Sequence, residues 1–277
     1  MLGSLVLVYP TGHEGGELVL RHKGREWKFD AKSLTVSWSS PSLAYIAFYS
    51  DIEHEVLEVA SGRRVTITYN LYLVNPTSKP EASVIAPDVK NVSNLQNTLQ
   101  GFLRNPEFLP SGGTLGFGLA HLYPVTFETK LREMAIYLKG EDAHVYRAFQ
   151  ELQLQPLLRM IYDDNESRDH GEKYGIMLGR IKKGPRYNYE VSSYEGALLS
   201  RKLGGVPVNK TRDALMEGSS WVARRGSRGE FITWITPLNE QNRLQDVQMT
   251  YGNEVQAGYM YCRPCIIVRI PAASERV

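Results

Sequence analysis

The chain has 277 residues, 42% of them hydrophobic and 22% charged, with a mean hydropathy of −0.31. That composition excludes disordered, collagenous and coiled-coil classes and leaves room for one large domain or two small ones. The net charge of +2 is too small for a dedicated nucleic-acid or polybasic membrane binder, and a small or anionic-metabolite partner fits better. Only two cysteines are present, and no apolar run is long enough to span a bilayer, so an intracellular compartment, cytoplasmic or nuclear, with no membrane attachment is expected.

In chain order, Met1-Leu2-Gly3-Ser4 runs directly into the apolar Leu5-Val6-Leu7-Val8-Tyr9, without the basic region or cleavage site of a signal peptide. Short β-rich runs are predicted over 3–9, 16–21, 25–29, 43–49, 54–59 and 64–73, punctuated by Gly12, Gly15-Gly16, Gly24 and Ser61-Gly62. This spacing signals a sandwich, barrel or jelly roll joined by hairpins. A linker is expected over 75–87, where Pro76, Pro80 and Pro87 break both periodicities. Helical spacing follows in Val92, Leu95, Leu99, Phe102 and Leu103, with Asp88 as N-cap and Pro106 as stop. A second helix is predicted through Phe127, Leu131, Met134 and Leu138, ending at Lys139-Gly140, and a third through Val145, Phe149 and Leu152, capped by Asp142. Strands return at 155–162, 173–182, 231–236 and 260–270, interrupted by the polar segment 201–229. The fold class expected is α+β, with β-rich residues 1–74 followed by a mixed region over 88–277.

One strand stands out chemically. Arg64, Thr66, Thr68 and Asn70 alternate with Val65, Ile67, Tyr69 and Leu71, so one face is polar and the other apolar. Solvent exposure accounts for such a face in an isolated strand, but His54 lies ten residues upstream of Arg64. A histidine and an arginine on successive antiparallel strands can look into one barrel mouth. Imidazole is a nitrogen ligand for iron, guanidinium clamps a carboxylate through two hydrogen bonds, and a threonine hydroxyl adds another.

The segments Leu7 to His22, Ala47 to Val56 and Ser61 to Leu71, with Trp234-Ile235-Thr236-Pro237 and Tyr251-Gly252-Asn253-Glu254, resemble the Fe(II)/2-oxoglutarate dioxygenases of the prolyl-4-hydroxylase-like, fungal-type branch. The resemblance implies a double-stranded β-helix, or jelly roll, of which residues 1–74 are the C-terminal part. It also implies a hydroxylase that uses Fe(II), 2-oxoglutarate and O2, with ascorbate as a possible reductant, on a protein or small-molecule substrate. In this match His54 is an iron ligand, Arg64 pairs with the far carboxylate of 2-oxoglutarate, and Thr66 supplies the supporting hydroxyl.

The chain departs from that pattern at the other two iron ligands, a His-x-Asp that in the family precedes the strand matched by residues 3–9. No His-x-Asp occurs at any of the six histidines, and the one His-x-Glu, His170-Gly171-Glu172, follows the strand matched by residues 3–9 instead of preceding it. The expectation is therefore an N-terminally incomplete jelly roll, belonging either to a truncated enzyme or to a non-catalytic interaction or scaffold protein.

Other signals have plainer readings. His13 sits in a glycine turn, and Cys262 and Cys265 have knuckle spacing but no second pair, which makes them idle or buried thiols. The acidic stretch Asp163 to Asp169 lacks the glycine and closing glutamate of a calcium loop and is expected to be solvated. Arg224-Arg225-Gly226-Ser227-Arg228 and Arg180-Ile181-Lys182-Lys183 are expected to be solvated faces.

Overall fold

The structure is a computed structural model and describes residues 1–35, 42–72, 89–126, 128–163, 174–182, 203–209, 229–250 and 256–276. The chain is a mixed α+β, strand-rich fold that divides into two compact units, Met1–Glu81 and Ala82–Val277. The predicted linker 75–87, Asp88, Phe127, the segment Tyr251-Gly252-Asn253-Glu254 and the stretches 164–173, 183–202 and 210–228 lie outside the described residues. Among the described residues no helix is long and apolar enough to cross a membrane.

The first unit runs β1 (Gly3–Val8), β2 (His13–Gly15), β3 (Leu18–His22), β4 (Arg25–Phe29), a short helix α1 (Ala31–Thr35), β5 (Ala44–Tyr49), β6 (Glu53–Val56), β7 (Val59–Gly62) and β8 (Thr66–Leu71). Three antiparallel sheets result, ordered β5-β1-β8, β4-β3-β6 and β2-β7. The β3–β4 hairpin turns at Lys23 (φ 49°) and Gly24 (φ 74°), the two left-handed residues of a tight hairpin that follows the strands' own twist. Directly opposed residues share a face of a sheet. Val6 and Val8 therefore lie on one side with Ile46, Ala44, Thr68 and Thr66, and Leu5 and Leu7 on the other with Ala47, Tyr45, Tyr69 and Ile67. The first side is the core: Val6, Val8, Ala31 and Ala44 are buried together, with Phe29 of β4 and Ile46 and Phe48 of β5 packed on them. The second side leaves Tyr45, Ile67 and Tyr69 exposed.

The predicted strand 54–59 is broken in two. β6 pairs with β3 and β7 with β2, and between them Leu57 N donates to Glu17 O and Gly16 N to Glu58 O, both at 2.9 Å. The break comes where Gly15 and Gly16 adopt φ of 74° and 75°, a conformation outside the strand region that bends the ladder.

The second unit runs α2 (Val89–Arg104), β9 (Gly113–Gly118), α3 (Leu131–Met134), a 3-10 turn (Ala135–Tyr137), α4 (Gly140–Glu151), β10 (Leu157–Asp163), β11 (Tyr174–Leu178), β12 (Val206–Asn209), β13 (Ile232–Thr236), β14 (Leu244–Thr250) and β15 (Gln256–Ile270). One seven-stranded sheet has the order β12-β11-β10-β15-β9-β13, with β14 also paired to β15. Only β13 and β9 run parallel among these pairs. Alternate residues of β15 enter different clusters, Ile266 and Val268 packing with Phe149, Met160 and Tyr162, and Cys265 and Ile267 with Ile161, Ile232 and Trp234. Both faces of the sheet thus carry buried side chains, which explains the apolar run Pro264 to Val268 of its central strand.

Three sequence expectations need correction. The helix predicted through 127–138 is one turn of α3 followed by the 3-10 turn, and Gly140 opens α4 rather than ending its predecessor. Asp142 is not the cap of α4, a position held by Lys139. Its carboxylate instead accepts hydrogen bonds from Ala120 N (2.8 Å), His121 N (3.0 Å) and Tyr123 Oη (2.8 Å). Asp163 is not solvated but buried at the end of β10, accepting from Arg263 Nη1 at 2.6 Å.

Candidate functional site

His54 and Arg64 reach the structure by separate routes. His54 stands on β6 opposite Leu20 and is exposed. Its Nδ1 lies 3.1 Å from Ile52 O, so donation from Nδ1 leaves the lone pair on Nε2 at the outer edge of the ring. The ring packs 4.9 Å from Phe48, whose cross-strand neighbour is Ser4, on the same side of β1 as Val6 and Val8. This places the His54 ring against the core side of the β5-β1-β8 sheet.

Arg64 lies in the segment between β7 and β8, not within the predicted strand, since β8 begins at Thr66. The backbone there is pinned to the Tyr9 to Gly12 turn: Arg63 N donates to Gly12 O (3.1 Å), Tyr9 N to Val65 O (3.0 Å), and Val65 N to Thr11 Oγ1 (3.4 Å). The Arg64 side chain is half-buried and its Nε is fully buried without a hydrogen-bond partner among the described residues. Burial lowers its guanidinium below the ordinary arginine value, because the charged form loses hydration without gaining a counter-ion. Arg63, by contrast, is exposed.

Thr66 opens β8 opposite Val8, and Thr68 stands opposite Val6. Both thus lie on the side of β1 that carries Val6 and Val8, but only Thr66 is half-buried, Thr68 and Asn70 being exposed along with Ile67 and Tyr69. The stem of Arg64 lies against Gly16, where a Cβ would come within 2.8 Å of Arg64 Cδ and 2.9 Å of Val59 Cγ2. Gly16 and Phe48 are the neighbours that sequence reasoning missed. The doublet Gly15-Gly16 was the visible signal for the first, and nothing local marks the second.

Fe(II) fits these residues poorly. His54 would supply a single ligand, and among the described residues no group of three His, Cys, Asp or Glu side chains is arranged to hold a metal ion. His13 is buried with Nδ1 2.7 Å from Thr11 O, which matches a turn role. Cys262 and Cys265 are both buried and form no disulfide, and burial pushes the Cys265 thiol up, away from the reactive thiolate.

The second unit has a concave site of its own, a cavity of about 230 Å³ lined in part by Tyr123, Asn242, Arg243 and Pro264. Two of its polar residues are committed internally. Tyr123 Oη donates to Asp142 and accepts from Lys139 N, and Asn242 Nδ2 donates to His121 O. No protein-family model, curated protein or solved structure matches the chain.

Proposed function

We propose that the first unit binds 2-oxoglutarate as the cosubstrate site of a prolyl-4-hydroxylase-like Fe(II)/2-oxoglutarate dioxygenase with a jelly-roll fold, Arg64 engaging the far carboxylate and Thr66 the same anion. The observation that carries this reading is the buried, unpartnered Nε of Arg64. An unmatched buried donor costs about 1–3 kcal/mol, more when charged. A carboxylate would satisfy both the donor and the charge, and the planar guanidinium fits it through two parallel hydrogen bonds. Thr66, two residues along the same polar row, can donate its hydroxyl to the anion and hold its orientation.

The part of the reaction these residues can carry is recognition of a dicarboxylate. Redox chemistry would come from iron, and His54 alone does not make an iron site. The second reading, a non-catalytic interaction or scaffold protein, draws its support from that same shortage of ligands among the described residues. Calorimetric titration with 2-oxoglutarate separates the two. Under the dioxygenase reading Arg64→Ala weakens binding by about 1–3 kcal/mol, while Arg63→Ala, on an exposed neighbour, leaves it nearly unchanged. Equal effects of the two substitutions, or no 2-oxoglutarate binding by the unsubstituted protein, would favour the scaffold.

A further inference from the structure

We infer that Gly16 is a positioning residue for Arg64, its missing side chain and left-handed backbone forming the seat on which the arginine stem is held. This rests on the reading of Arg64 as a carboxylate partner and adds a determinant from a different strand pair.

The seat has three components. Gly16 has φ of 75°, which a residue with a Cβ adopts only under strain. A Cβ there would stand 2.8 Å from Arg64 Cδ and 2.9 Å from Val59 Cγ2, well inside van der Waals contact. The position is fixed by the bent ladder, because Gly16 N donates to Glu58 O at 2.9 Å while Arg63 N is tied to Gly12 O at 3.1 Å. The backbone at Gly16 and next to Arg64 is thus anchored by hydrogen bonds, with the arginine stem packed between Gly16 and solvent. An arginine whose stem is fixed loses less rotamer freedom when it clamps a planar anion, so a glycine here serves affinity as well as chain path.

Gly24 supplies the control. Its φ is 74°, nearly that of Gly16, but a Cβ at Gly24 would meet nothing within 4 Å. Gly24→Ala therefore imposes the same backbone strain without touching Arg64. Three measurements on the full chain test the inference. Thermal unfolding of Gly16→Ala, Arg64→Ala and the double variant forms a cycle, in which the loss of melting temperature caused by Gly16→Ala should shrink by a few degrees once Arg64 is alanine. The Arg64 Nε–H resonance should move in Gly16→Ala and stay in place in Gly24→Ala. Titration with 2-oxoglutarate should show about a tenfold or greater loss of affinity in Gly16→Ala and little in Gly24→Ala, a loss of the size expected when a charge-assisted hydrogen bond is misplaced.

An additive cycle together with an unmoved Nε resonance overturns the inference whatever the ligand data show. Loss of 2-oxoglutarate binding in Arg64→Ala but not in Gly16→Ala also overturns it and leaves the proposed function intact. A coupled cycle and a displaced resonance, with 2-oxoglutarate binding absent or insensitive to Arg64→Ala, keep the seat and remove the proposed function. Should Gly16→Ala alone fail to fold, recovery of folding in the double variant is itself the coupling expected.

Discussion

The His54 ring lies 4.9 Å from the Phe48 ring, tilted by 49°, and this contact joins a strand of the β4-β3-β6 sheet to a strand of the β5-β1-β8 sheet. His54 therefore has a packing role that is independent of any metal. His54→Ala should lower the stability of the first unit by about 0.5–1.5 kcal/mol, the range for such ring pairs, whereas His54→Phe should retain it. If His54 also ligates iron, both variants lose Fe(II) affinity equally. Urea unfolding set beside an Fe(II) titration reads the two roles separately.

Arg263 and Asp163 form a buried pair across β10 and β15, with Nη1 to Oδ1 at 2.6 Å and Glu240 bound to the same guanidinium. Arg263→Ala should cost about 3–5 kcal/mol, because it leaves a buried carboxylate without its cation. Replacing Arg263 and Asp163 together by Met and Leu should cost much less than the single change. Denaturant unfolding of the three variants measures the difference.

The buried Asp142 carboxyl is pushed up by desolvation, against the opposing hydrogen bonds from Ala120, His121 and Tyr123. Its folded value lies above its unfolded value of about 3.9. The folded state then holds the extra proton between the two values, so Asp142's contribution is fully present below about 3.9 and is lost as pH rises through the folded value. Asp142→Asn should abolish that slope, so that wild-type stability minus variant stability falls as pH increases from 3 to 7. A difference that rises over this range would refute the assignment.

Glu230 has the opposite sign. Burial alone would raise its carboxyl, but hydrogen bonds from Arg269 and Thr114, with the charges of Arg269 and Arg159, bring it below the usual range. Its contribution is present above an unfolded value of about 4.3 and is lost as pH falls through the lower folded value. Glu230→Gln should therefore be most destabilising near neutrality and nearly silent in acid. Partial exposure of Arg269 keeps the effect small, on the order of 1 kcal/mol or less, and high salt should reduce it further.

Local signals in the sequence were good guides where local forces decide the structure. The stretch Arg25–Phe29 is a strand as predicted because Lys23 and Gly24 set a tight turn before it. Likewise α2 ends at Arg104, two residues before Pro106, and carries the apolar spacing of Val92 and Leu99. Strand β9 was missed because Gly113, Gly116 and Gly118 give it little strand propensity. Gly116 is required by distant residues, since a Cβ there would come within 2.6 Å of the Trp234 ring. Asp142 was misassigned for a related reason, as its partners lie in a loop about twenty residues earlier. At the candidate site, the alternation put Thr66 and Thr68 on one side of β8, while Arg64 lies before that strand begins. That the same side carries the core of β1, and that Gly16 lies beneath Arg64, depends on strand pairing that no short pattern encodes.

The long strand β15 makes ladders with β9, β10 and β14, all of which precede it in the chain. During synthesis those three strands leave the ribosome with their shared template still unmade. Their edges and apolar faces must wait for residues 256–270, during which they are open to mispairing and to capture by chaperones. The first unit draws its sheets from its own eight strands and has no such delay. Translation order therefore gives the two halves different risks: early closure for the unit that carries Arg64, and a late closure governed by one strand for the other.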